Sequence, residues 1–175
     1  DHLYLVTTTG LATPSLDALL VPRLGLRNDV RRWPLFGLGC AGGAGALIRA
    51  ADVVRASPSQ KALVVSVELC GQIFSSKAAA PTDVIGASLF GDGAAAAVVG
   101  EGPGPRIRSA RTVLYEGTQH LMGWSFTADG MRLLLSKEVK RDPDPGRKAL
   151  IFGMINPGIV DTGFAKNVPI PMITA

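Results

Sequence analysis

Cys40 stands in Trp33-Pro34-Leu35-Phe36-Gly37-Leu38-Gly39-Cys40-Ala41-Gly42-Gly43, an apolar run that meets a glycine-flanked thiol and passes into an Ala-rich helical pattern. The residue order predicts a strand over 35–38 and a helix over 40–56, with the thiol at the helix start. Amides and the macrodipole at a helix N-terminus favour an anion, so the placement predicts a thiolate populated at neutral pH. The small neighbours Gly39, Ala41, Gly42 and Gly43 allow a tight turn and let an acyl group approach backbone amides that could hold an oxyanion. That is the chemistry of acyl transfer through a thioester.

The same residues support a second reading. Gly37-Leu38-Gly39-Cys40-Ala41-Gly42 matches GxGxxG, and Glu68 ends the next strand where a ribose-binding carboxylate would stand, as in a nicotinamide-dependent dehydrogenase. The later segment Asn156-Pro157-Gly158-Ile159-Val160-Asp161-Thr162 is similar to a loop of short-chain dehydrogenases. Against it, neither Tyr4 nor Tyr115 has the Lys four residues on that this chemistry requires. Cys70 closes an apolar strand without a glycine-rich helix entry and reads as a wall residue. His2 and His120, the two histidines, read as local hydrogen-bonding groups.

Around these residues the chain alternates strand and helix patterns. Leu3 to Thr8 is β-rich, Leu16, Leu19, Leu20 and Leu24 recur at helical spacing, and Ala62 to Val67 is a β-branched run of the kind found in sheets covered on both faces. The run's end at Glu68-Leu69-Cys70-Gly71 is expected at the same rim as Cys40. A polar loop is expected around Pro81 and Asp83, then a small-residue strand from Ala94 to Val99. Further strands are expected from Arg106 to Tyr115 and from Met131 to Val139. Beyond Lys140, Arg141-Asp142-Pro143-Asp144-Pro145-Gly146 breaks regular structure. The opening Asp1-His2-Leu3-Tyr4-Leu5-Val6 reads as a strand entered in mid-fold, so the natural protein is expected to start earlier.

With 175 residues, 47% of them hydrophobic and 18% charged, the chain has the composition of a globular protein with a real core. Its net charge of +4 is dispersed and reads as a solvated surface, not a nucleic-acid interface. Two cysteines without CxxC spacing argue against a disulfide framework or a zinc site and for a reducing cytoplasm. No apolar run approaches the roughly 20 residues of a membrane span, so no membrane partner is expected.

Taken together, Thr7-Thr8-Thr9-Gly10, Pro14-Ser15-Leu16-Asp17, the Gly37 to Gly43 segment, Val65-Ser66-Val67-Glu68-Leu69-Cys70, Leu89-Phe90-Gly91-Asp92-Gly93-Ala94-Ala95 and Met122-Gly123-Trp124 resemble the bacterial type III polyketide synthases, the chalcone-synthase-like branch of the thiolase superfamily. The likeness runs from residue 1 to about Val139. It implies an α/β fold of the layered α-β-α-β-α thiolase type, present in part. Residues 1–100 would be the later part of the N-terminal half, 101–140 the start of the C-terminal half, and 141–175 an atypical tail. It further implies that Cys40 carries the growing acyl chain and that Phe90 gates the passage from the CoA tunnel. Thr8, Thr13, Cys70 and Ile73 would line the cavity, Thr13 at the interface of a homodimer. Acyl-CoA and malonyl-CoA would be the substrates, with no metal or tightly bound organic cofactor.

The family's catalytic His and Asn have no clear counterpart. Asn156 stands in Ile155-Asn156-Pro157-Gly158 where the family has His-Pro-Gly, after a shorter interval, and Asn167 lacks the family's Asn-Met-Ser context. The chain by itself is therefore expected to accept an acyl group without completing condensation. A ketoacyl carrier-protein synthase III-like enzyme and a catalytically silent dimerisation partner are the further alternatives.

Overall fold

The computed structural model describes residues 1–73, 80–128, 130–136 and 172–174. Five strands form one sheet in the order β2-β1-β3-β4-β7: β1 (His2–Val6), β2 (Arg31–Leu35), β3 (Ala62–Glu68), β4 (Gly93–Gly100) and β7 (Met172–Thr174). β1 runs parallel to β2 and to β3, with Val6 opposite both Leu35 and Ser66. β4 returns antiparallel to β3, so Gly93 faces Glu68, and β7 lies parallel to β4. Strands β5 (Met122–Thr127) and β6 (Gly130–Leu135) make a separate antiparallel hairpin.

Period-two alternation decides which side chains reach the core. Tyr4 and Val6 of β1, Ala62 and Val64 of β3, and Val99 of β4 point to one face and bury against Ala46, Ala50 and Val54 of α2 (Gly42–Ala56), with Leu35 and Leu47 packed at the margin. The helix lays its alanines on the sheet, which brings its axis close; Leu47, Ile48 and Val53 are half-buried at its flanks. Leu3 and Leu5 are buried on the opposite face. Leu63, Val65 and Val67 on that face stay half-buried, so the β-branched run is not covered equally on both sides.

Helix α1 (Leu16–Arg23) follows the Ser15 cap and stops just before Gly25, whose φ of 62° is the left-handed conformation that ends a helix. Its Asp17 is fully buried; one carboxylate oxygen accepts from Ser15 Oγ and the other lies 3.4 Å from Arg32 Nη1, tying the start of α1 to β2.

Three expectations need correction. The strand before Cys40 lies earlier, at Arg31–Leu35, because Gly37 at φ 84° breaks the extension. The expected loop around Pro81 and Asp83 is α3 (Pro81–Leu89): Pro81 opens the helix and the Asp83 carboxylate accepts the Ala80 N–H at 3.2 Å, a capping pattern that periodicity alone does not reveal. Residues 107–115 form no strand; the apolar side chains there lack a sheet to pack on, and Leu114 is 81% exposed.

Candidate functional site

Parallel strands deliver the residues after their C-terminal ends to one rim of the sheet. Beyond the ends of β1, β2 and β3 lie Thr7 to Gly10, Phe36 to Cys40, and Leu69 to Ile73, while antiparallel β4 begins at the same rim with Phe90 to Asp92 leading in. Open α/β sheets bind ligands outside their strand carboxyl ends for this reason. Cys40, Thr8, Cys70 and Phe90 are thus gathered from four separate segments.

Cys40 occupies a 3-10 turn, Gly39–Ala41, that runs directly into α2. Gly37 and Gly39, at φ 84° and 51°, make the reversal from strand to turn, which residues with a Cβ rarely adopt. Gly42 meets the sheet closely: a Cβ there would come within 2.3 Å of Val6 Cγ1. Around Gly43 a Cβ would meet nothing within 4 Å, which leaves open space one turn from the sulfur.

The expected thiolate is not the resting form. Burial pushes the Cys40 thiol above its ordinary value, outweighing a backbone hydrogen bond that lowers it, and the nearby Glu68 carboxylate raises it further. Any nucleophilic chemistry at Cys40 first requires a base to take its proton. Cys70, 5% exposed, is pushed up to about 11, first by burial and then by Glu68, Asp92 and Cys40. Of the two thiols, Cys40 is the half-exposed one.

Carboxylates brace the loops of this rim. Glu68 accepts the Thr8 N–H at 2.9 Å through one oxygen, and the Thr9 N–H at 3.0 Å and Thr9 hydroxyl through the other. The Leu69 N–H in turn donates to Thr9 Oγ1 at 2.7 Å. Asp92 accepts the Gly71 N–H at 2.7 Å, fixing the Cys70 turn to the approach of β4. Glu68 is therefore engaged by its own protein, which is poor preparation for a ribose hydroxyl.

The β5–β6 hairpin meets the same region. Trp124 contacts Phe90 edge to face at 5.4 Å between ring centres, and Phe126, on the same side of β5, lies 6.3 Å from Phe36. Gly130 of β6 packs toward the Ile73 carbonyl. Phe36 and Phe126 belong to no motif that marks them as site residues, although the alternation Trp124, Phe126 is a visible signal. Thr13 sits in an exposed loop before α1. His2 begins β1 at the opposite rim, with Nε2 2.7 Å from Gln60 Oε1 and Nδ1 accepting from Trp33 Nε1 at 3.2 Å, so its role is local hydrogen bonding. Asn156 and Asn167 lie outside the described residues. Among the described residues, no group of His, Cys, Asp and Glu could hold a metal ion, and no helix is long and apolar enough to cross a membrane.

Comparison with known proteins accords with this arrangement. The family model for the N-terminal domain of chalcone and stilbene synthases matches residues 1–103. The 1,3,6,8-tetrahydroxynaphthalene synthase of Streptomyces peucetius is 43% identical over 142 residues, which are 77% of this chain and 37% of that protein. The crystal structure of the synthase of the same name from Streptomyces coelicolor, described as a bacterial type III polyketide synthase, superposes with a TM-score of 0.78 at 32% identity, covering 91% of this chain and 47% of that one. CsyB, solved in complex with CoA-SH, gives a TM-score of 0.68 at 28% identity over 80% of this chain and 42% of its own. The chain spans less than half the length of each of these relatives. With the family model matched over residues 1–103, more than half of the chain, and with these likenesses in sequence and fold, the chain belongs to the chalcone and stilbene synthase family.

Proposed function

We propose that this chain is the nucleophile-bearing part of a type III polyketide synthase, which condenses malonyl-CoA units onto a starter acyl-CoA. The single observation that carries the reading is the convergence on one rim of Cys40, its glycine-made turn and the Phe90 loop, all inside the segment that matches the family. The Cys40 sulfur, once deprotonated, attacks the carbonyl of the starter thioester and expels CoA as its thiolate. Malonyl-CoA then loses carbon dioxide, and the resulting enolate carbon attacks the Cys40 thioester, returning the sulfur as leaving group. Phe90, held by Trp124, gates the passage to a cavity walled by Thr8, Cys70 and Ile73. Support for a CoA thioester as donor comes from the CoA-SH complex of a structural relative.

Thr13, exposed in its loop, belongs to the homodimer interface in this reading. Residues 1–100 form the later part of the N-terminal half and 101–140 the start of the C-terminal half, with 141–175 a tail of other character. The reaction needs no metal or tightly bound organic cofactor, since thioester cleavage and decarboxylation supply its driving force, and the protein works in the cytoplasm.

The test is incubation with a radiolabelled starter acyl-CoA and, separately, radiolabelled malonyl-CoA. Starter label retained on the wild type and lost in Cys40→Ala is the expected result. No released polyketide is expected from this chain, because the family's His and Asn have no assigned counterpart and the loss of one such donor costs about 10²–10³ in rate. Failure of any acyl-CoA to label the protein would overturn the reading. Labelling from an acyl carrier protein instead of free CoA would favour a ketoacyl carrier-protein synthase III-like enzyme.

A further inference from the structure

We propose that the outer edge of β4 is contested by two segments of this chain: β7 holds one end of it as a placeholder, and residues 106–115 pair along it as a hairpin strand once β7 lets go.

β4 runs for eight residues, but β7 meets only Val98, Val99 and Gly100, opposite Met172, Ile173 and Thr174. Along Gly93 to Ala97 the same edge has no neighbouring strand among the described residues, which leaves backbone donors and acceptors without a ladder. A nearby segment has the matching lack. Arg106 to Tyr115 alternates in the manner of a strand, yet among the described residues no backbone hydrogen bond involves 108–114, and that whole stretch is exposed. Residues 101–121 join β4 to β5 without a helix or a ladder strand, well beyond the roughly 12–15 residues above which a structureless loop is uncommon in a folded domain.

The edge and the segment fit each other. Glu101-Gly102-Pro103-Gly104-Pro105 is a short connection rich in glycine and proline, which suits a hairpin loop, and folding back there sets Arg106 beside Gly100 and Ile107 beside Val99. Ile107 already lies on that side of the molecule: its carbonyl accepts from the guanidinium of Arg55, near the end of α2, the helix against which Val99 is buried. A hairpin zips from its turn, because pairs next to the loop cost the least closure entropy. β7 occupies those first pairs, at Val98 to Gly100, and so blocks the rest while covering less than half of the edge. The effect reaches the β5–β6 hairpin. A strand over 106–115 carries the chain from the Gly100 end of β4 to the Gly93 end, which pairs with Glu68 at the rim, and so shortens the tether to Trp124, the partner of Phe90.

Amide hydrogen exchange, read by peptide mass mapping on the full chain, tests this without any acyl substrate, so it can fail independently of the polyketide reading. In the wild type, residues 107–114 should exchange as an open loop. Adjacent strand amides point to opposite sides, so Ile173→Pro/Thr174→Pro removes the donor facing β4 whichever of the two residues supplies it. That variant should slow exchange by about tenfold or more at roughly half of the 107–114 amides, those turned toward β4. The two single proline variants give the same reading if the double variant does not fold. Ile173→Val keeps every donor and should behave as wild type. Adding Arg111→Pro to the double variant interrupts the new strand and should restore fast exchange. Protection of 107–114 already present in the wild type, or exchange that stays fast in all the β7 proline variants, overturns the proposal.

Discussion

The two cysteines show how environment, not residue type, divides roles. Cys40 is half-exposed at a helix entry, whereas Cys70 is buried beside two carboxylates, with its thiol pushed up to about 11. A raised value in the folded state means that the fold holds a proton that the unfolded chain gives up at about pH 8.5. The stability from that proton is fully present below about pH 8.5 and is lost as pH rises toward 11, at up to about 1.4 kcal/mol per pH unit and on the order of 3 kcal/mol in all. Urea unfolding of wild type and Cys70→Ala at a series of pH values should therefore give stability curves whose separation is constant below about pH 8.5 and changes above it, with the wild type falling faster. Parallel curves would mean that Cys70 titrates normally. The resting state of Cys40 is not legible in the sequence: helix entry, which favours an anion, is visible in residue order, while burial and the Glu68 charge arise only when β3 is placed beside it.

Among the elements, α2 shows what its glycines are for. Gly42 stands where the helix crosses β1, and any Cβ would drive into Val6, a branched core side chain; Gly43, the next residue, faces open space. Gly42→Ala should destabilise the chain by about 1–3 kcal/mol through overpacking, while Gly43→Ala should be neutral or stabilise it by up to about 1 kcal/mol through helix propensity. Chemical denaturation of both variants checks this; equal effects would contradict the close crossing. Strongly patterned elements are legible in residue order: the runs that form β1, β3 and β4 show nearly to their ends, and so does the α1 pattern closed by Gly25. Helix α3 is not legible, because its first turn is Pro81-Thr82-Asp83 and its Val84, Ile85 and Leu89 remain exposed to varying degrees, so no buried stripe marks it. Arg106 to Tyr115 fails in the opposite sense, since alternation without a surface to cover does not make a strand.

Across the whole molecule, the sequence order conceals the site that the sheet assembles. Thr8, Cys40, Cys70 and Phe90 are separated by 20 to 32 residues in the chain, and only parallel pairing of β1, β2 and β3 with an antiparallel return in β4 brings their segments to one rim. The motif residues can be picked out of the sequence because each belongs to a distinctive short pattern. The brace of Glu68 on Thr8 and Thr9 cannot, because hydrogen bonds across about 60 residues leave no local trace. The hairpin contacts of Phe36 with Phe126 and of Phe90 with Trp124 belong to the same class. Everything proposed for this rim depends on Cys40 as the sulfur that receives an acyl group from CoA. The most direct measurement is peptide mass mapping after incubation with a series of starter acyl-CoA thioesters, quenched in acid to preserve the thioester. The expected result is the added acyl mass on the peptide containing Cys40 and none on the peptide containing Cys70. An acyl group on Cys70, or none on either while iodoacetamide still modifies Cys40, would contradict that role.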